Sequence, residues 1–208
     1  GIHGFFAAGQ AMGGLFGANR LGSTSLTELA VFGNRSGIAA SKLASLSTHK
    51  IKDESFFPLI EEVKKNFGQK GDVSASGLKV KLQKESWDNI GPVRSLIGLQ
   101  KMDKVIKEIE NQLEKISIPN YGTWNQSFID FIELRNMLET AKCVSLAAME
   151  RNSSVGGHVR LDCKTSSIFS QPFSTLVNKD ENNKLQVKRV ERDRTPLKSI
   201  IGYKIEEY

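Results

Sequence analysis

Cysteine is scarce in this chain of 208 residues, with Cys143 and Cys163 alone present. Two thiols cannot build a disulfide framework, and these lack the short spacing of a zinc or redox pair. They read as buried or bystander thiols in a reducing compartment. His3, His49 and His158 are the only histidines and lie far apart in sequence, so no metal site is expected. No apolar run approaches the roughly 18 residues that a bilayer-crossing helix needs, and no signal-peptide pattern opens the sequence. Internal repeats and low-complexity tracts are missing too. The net charge is +6, but the 29 basic residues are spread among 23 acids and no nucleic-acid motif accompanies them. That pattern describes a solvated surface, and no nucleic-acid partner is expected.

What the chain does have is glycine at one end. Nine of its 18 glycines fall within the first 37 residues. Gly4-Phe5-Phe6-Ala7-Ala8-Gly9 reads as a short buried strand ended by a glycine, with Gln10 where it opens into a turn. The stretch from Gly13 to Gly22 then runs through Arg20 into a helix, and Ser25 followed by Glu28 fits a capping box. A helix start of this kind attracts anions and electron-rich oxygens, and the glycines let a ligand approach the main chain. The planar fork of Arg20 can hold a carboxylate or phosphate through two parallel hydrogen bonds. The same residues also suit a plain tight connection, with Arg20 paired to a neighbouring acid. One strand and one helix cannot bury both their faces, so this part reads as incomplete.

The helix is expected from about Leu26 to Ser47, with Gly33, Gly37, Ala40 and Ala44 as a small-residue stripe that admits another backbone or a flat ligand. A polar, basic stretch around Ser47–Ser55 marks a boundary. Phe56-Phe57-Pro58 opens a short helix ending near Gly68. Further helices are expected from Ser74 to Asn89, with Leu78, Leu82 and Trp87 inward; from beyond the Gly91-Pro92 break to about Ile116; and from a cap at Asn125 or Thr123 to about Asn152. The second of these carries Leu99, Met102, Ile106, Ile109, Leu113 and Ile116 on one stripe. Long helices with short connections make a bundle whose apolar stripes meet. Beyond Asn152 the glycines of Ser153–Asp162 predict a bend into extended chain. Phe173–Val177 and Leu185–Val190 predict a hairpin, and Lys198–Tyr208 one more extended piece.

Three stretches carry a resemblance. Gly4-Phe5-Phe6-Ala7-Ala8-Gly9-Gln10-Ala11, the run Gly17-Ala18-Asn19-Arg20-Leu21-Gly22-Ser23-Thr24-Ser25-Leu26, and Val31-Phe32-Gly33 resemble the succinate dehydrogenase/fumarate reductase flavoprotein family. Trp87–Arg94 is similar to the break between helices in that family's C-terminal domain, and Glu150–Asp162 to the end of its last long helix.

The resemblance implies an FAD-dependent oxidoreductase acting on a dicarboxylate, interconverting succinate and fumarate. It implies that Arg20 binds a carboxylate of the substrate, that Ser25 and Leu26 approach the pyrimidine end of the flavin, and that Gln10 stands where the family usually has a Glu on the ribose or ribityl hydroxyls. Phe16 replaces a common His, and Val155 and Gly157 depart from an Arg-Gly-Ala-His pattern. His158 and Arg160 read as helix termination or interdomain contacts.

The fold class implied is mainly α with some β (α+β). Residues 1–48 would end an FAD-binding domain, 55–155 would form the helical bundle and 156–208 an extended tail with a hairpin. The dinucleotide-binding motif, capping domain and proton donor would lie in segments preceding Gly4. The chain is therefore expected to be the C-terminal portion of a larger flavoprotein, inactive by itself. The partners implied are a membrane anchor and an iron–sulfur subunit. The location implied is cytoplasmic, including a peripheral position at the cytoplasmic membrane face. Two alternatives stand beside this reading: an L-aspartate oxidase-like flavoenzyme, and a non-catalytic module that docks an iron–sulfur subunit.

Overall fold

A computed structural model of the chain describes residues 3–13, 16–17, 22, 24–47, 53–68, 71–120, 122–163 and 171–192. It divides into two compact units, Gly1–Glu62 and Val63–Tyr208. The extended piece expected at Lys198–Tyr208 lies outside the described residues.

In the first unit a 3-10 turn at Gly9–Met12 precedes helix α1 (Thr24–Leu46), and a second such turn at Asp53–Phe56 leads into α2 (Phe57–Lys64), whose last two residues belong to the second unit. The strand expected at Gly4–Gly9 does not form. Ala8 has extended backbone, but no strand of this unit pairs with it among the described residues, and Phe5 is 73% exposed. Apolar, β-prone residues make a strand only where a neighbour completes the ladder. Instead the segment leans on α1, where the Ser36 hydroxyl donates to the Ala7 carbonyl at 3.1 Å. Among the described residues, a Cβ placed on Gly33 or Gly37 of the small-residue stripe of α1 would meet no heavy atom within 4 Å.

The second unit is the packed one. Helices α3 (Ala75–Ile90), α4 (Leu96–Leu113) and α5 (Gln126–Glu150) all pack against one another. Each starts on a side-chain cap. Ser74 Oγ accepts from the Gly77 amide at 3.4 Å, Ser95 Oγ from Gly98 at 3.1 Å and Asn125 Oδ1 from Phe128 at 3.1 Å, satisfying amides that a helix leaves open. Leu78 and Leu82 of α3, Leu99, Met102 and Ile109 of α4, and Phe131, Leu134 and Leu138 of α5 form the core. Trp87, expected inward, is 75% exposed. Leu82 and Ile90, not Trp87, carry the apolar stripe of α3 through its last turns.

Asn66 finishes α4. Its buried amide nitrogen donates to the Leu113 carbonyl at 2.9 Å and the Ile116 carbonyl at 3.1 Å, just where the helix runs out of partners. Between α3 and α4 the two-residue strand β1 (Val93–Arg94) pairs in parallel with β2 (Val159–Arg160), bringing the end of α5 back to the break at Gly91-Pro92.

The hairpin expected near the end is present as β3 (Phe173–Lys179) and β4 (Leu185–Glu191), antiparallel with Phe173 opposite Glu191. Asp180 shapes its turn by accepting the Asn182 and Lys184 amides at 2.9 Å each. The hairpin sits on the end of α5. The Arg151 guanidinium lies 4.1 Å from the Phe173 ring centroid and donates to the Phe173 carbonyl at 2.7 Å, and Arg189 pairs with Glu150.

Candidate functional site

Two places gather chemistry-bearing residues, one in each unit. In the first unit three of the four expected site residues are described. Gln10 is exposed on the Gly9–Met12 turn, Ser25 is half-buried, and Leu26 is 72% exposed in the opening turn of α1. Arg20 lies outside the described residues.

Helix α1 begins at Thr24, so Ser25 is inside the helix and does not cap it. Glu28 does not turn back to the helix start either. Its Oε1 accepts the Gly9 amide at 2.8 Å, a contact across 19 residues. The capping pattern failed because a longer-range donor, the amide of a buried glycine at φ +71°, competes for the same carboxylate. This bond joins the turn that carries Gln10 to the helix turn that carries Ser25 and Leu26.

Gly13 and Gly17 also have positive φ, and a Cβ on either would meet nothing within 4 Å among the described residues. Their main chain is open to close approach. The first amides of α1 have no partner within the helix, and Thr24 donates to the Gly22 carbonyl at 3.0 Å. Gln10 offers an amide side chain and Ser25 a hydroxyl in this part of the unit. Beside them a hollow of about 360 Å³ is lined by Phe16, Thr24, Thr27, Glu28, Val31 and Phe32.

In the second unit the cations Arg94, Arg151 and Arg160 surround His158. Arg160 is buried. It donates to the Ala148 carbonyl at 3.0 Å and the Arg151 carbonyl at 3.1 Å, closing the C-terminal end of α5, and pairs with Asp162 through two bonds of 2.9 and 2.7 Å. The same pairing holds the Asp162 carboxyl far below the usual carboxylate range.

His158 lies between Arg94 Nη1, 2.5 Å from Nδ1, and the Arg151 carbonyl, 3.1 Å from Nε2. A guanidinium can only donate, so Nδ1 accepts and Nε2 carries the proton that the carbonyl receives. Burial first, and then the charges of Arg94, Arg151 and Arg160, push the imidazole pKa down despite that carbonyl bond. Both ring nitrogens are occupied in the fold, leaving no free nitrogen for proton transfer. Sequence reasoning gave Arg94 no role; its pairing across 64 residues has no local signal. Among the described residues no group of His, Cys, Asp and Glu side chains could hold a metal ion. No described helix is long and apolar enough to cross a membrane.

A family model described as "Fumarate reductase flavoprotein C-term" matches residues 79–202. The chain belongs to the succinate dehydrogenase/fumarate reductase flavoprotein family.

One component of the CoM/CoB fumarate reductase of Methanothermobacter marburgensis is 34% identical over 157 residues, covering 76% of this chain and 28% of the relative. The succinate dehydrogenase flavoprotein subunit of Rickettsia felis is 32% identical over 190 residues, covering 89% and 32%. The structure of the Mycobacterium smegmatis Sdh1 complex in its apo form superposes with a TM-score of 0.77 at 26% identity, covering 91% of this chain and 33% of that one. The family's α+β C-terminal architecture is the fold seen here, and the chain spans about a third of the length of the proteins it matches.

Proposed function

We propose that this chain is the C-terminal portion of an FAD-dependent flavoprotein subunit that interconverts succinate and fumarate. The observation that carries the reading is the run Gly17-Ala18-Asn19-Arg20-Leu21-Gly22, which leads into a helix whose first turns are tied to the Gln10 turn within a chain of this family. Residues 1–48 are the end of the FAD-binding domain, 55–155 the helical bundle and 156–208 the tail.

When bound, the flavin supplies the two-electron chemistry. Gln10 offers both a donor and an acceptor to ribose or ribityl hydroxyls. Ser25 and Leu26 present the N-terminal end of α1 to the pyrimidine edge, where the helix dipole favours negative charge. Arg20 binds one substrate carboxylate with its fork and so orients the dicarboxylate beside the ring. These residues make one wall of the site. Turnover needs the remaining FAD-binding and capping segments of the full flavoprotein, and the chain alone is inactive.

An iron–sulfur subunit takes the electrons, and a membrane anchor holds the complex at the cytoplasmic face of the membrane. In the complete flavoprotein Arg20→Lys is expected to lower turnover with succinate by about a hundredfold or more while FAD stays bound, because a point charge does not replace a bidentate fork. Steady-state kinetics with the flavin content measured in parallel check this. Unchanged turnover removes Arg20 from the substrate site.

A further inference from the structure

We propose that Glu28 is a positioning residue for the flavin: from within α1 its carboxylate fixes the Gly9 amide and so sets Gln10 against the start of the helix. The proposal rests on the flavoprotein reading above and adds a residue to it that the sequence pattern assigns to a cap.

Glu28 is only 4% exposed, on a helix whose neighbouring apolar residues Leu26 and Leu29 are open to solvent. One of its oxygens takes the Gly9 amide at 2.8 Å, while the other, Oε2, is buried without a partner. A buried carboxylate oxygen with no donor costs free energy, and an apolar side chain would fill the same space without that cost. An apolar side chain would leave the Gly9 amide without its acceptor. The acceptor, then, is what the position supplies.

A second tether runs the other way, since the Ser36 hydroxyl of α1 donates to the Ala7 carbonyl at 3.1 Å. Gly9 itself is buried at φ +71°, and a Cβ there would lie 2.6 Å from Leu29 Cδ2. The backbone ahead of Gln10 is thus held to α1 by an acceptor, a donor and a glycine that fits close to the helix. Of these restraints, Glu28 is the one that bonds the residue next to Gln10 from the same helix turn as Ser25 and Leu26.

The test compares the complete flavoprotein with its Glu28→Leu and Glu28→Gln variants. Hydrogen exchange of the peptide spanning residues 8–12 in the apo protein is followed together with FAD affinity by fluorescence titration and the band shape of the bound flavin. Glu28→Leu is expected to speed exchange at Gly9 and to weaken FAD binding by about tenfold or more, with a blurred visible band. Glu28→Gln keeps an oxygen for the Gly9 amide and is expected to remain within about threefold of the parent affinity.

Unchanged exchange in Glu28→Leu overturns the proposal, as does faster exchange with unchanged FAD affinity and spectrum. Loss of FAD from folded Glu28→Gln also overturns it, and that variant decides the matter should the leucine variant not fold. If the parent protein binds no FAD, the flavoprotein reading itself fails and takes the proposal with it, an outcome separate from the others.

Discussion

The two units handle apolar surface in opposite ways. In the second, Leu99, Met102, Ile109, Leu134 and Leu138 are sealed between three capped helices, and the exposed side of α4 carries Lys101, Lys107 and Glu108. In the first, Phe5, Phe6, Leu26, Leu29 and Leu46 face solvent, and among the described residues only Gly9 and Glu28 are buried. The second unit buries a continuous apolar core, although Trp87 and Trp124 stay exposed. In the other, hydrogen bonds spanning 19 and 29 residues tie the chain around Gly9 to α1, and these apolar groups stay uncovered.

Truncation is the sharpest way to break that contrast. Leu134→Ala, in the centre of α5, is expected to cost about 3–5 kcal/mol of stability, whereas Leu26→Ala in α1 is expected to change it by less than about 0.5 kcal/mol. Denaturant unfolding of the 208-residue chain measures both. Equal costs would mean that the first unit has a core of its own.

A smaller loss, about 2–3 kcal/mol, is expected for Arg160→Leu, which strips the end of α5 of two carbonyl contacts and leaves Asp162 without its partner. The same unfolding experiment checks it, and an unaffected midpoint would show that the α5 terminus is held by the hairpin instead.

The mildest effect concerns pH. Burial and three arginines depress the folded pKa of His158 below its ordinary value of 6.5, so the unfolded chain takes up the proton first as pH falls. The stability this residue contributes is whole above about pH 6.5 and is lost progressively as pH drops through the folded pKa. Thermal midpoints measured from pH 7.5 to 5 should fall more steeply for the parent chain than for His158→Gln.

The bundle was legible because its signals are local. Ser74 and Asn125 cap where their type and position indicate, Gly91-Pro92 breaks the chain where a helix cannot continue, and the spacing of Leu99, Met102, Ile106 and Ile109 marks the buried face of α4. The hairpin was legible for the same reason, from two β-prone runs around a polar turn.

What escaped depends on distant partners. Residues 5–8 have the composition of a strand and no strand to join among the described residues. Trp87 has the volume of a core residue but falls on the outer side of α3. Glu28 has the spacing of a capping box and is drawn to Gly9 instead. For the site, Gln10, Ser25 and Leu26 were singled out by likeness to a family. The bond that joins their two turns could not be read from either turn alone.

The pairing of Val93 with Val159 and Arg94 with Arg160 has a topological consequence. It fastens two points of the chain to each other and so makes a closed loop that contains α4 and α5 entire. Loop-closure entropy grows only with the logarithm of length, so closing this long loop costs little more than closing one half its size. Two of the three bundle helices thereby form a clasped ring, with Arg94 and Arg160 at the clasp and α3 outside it.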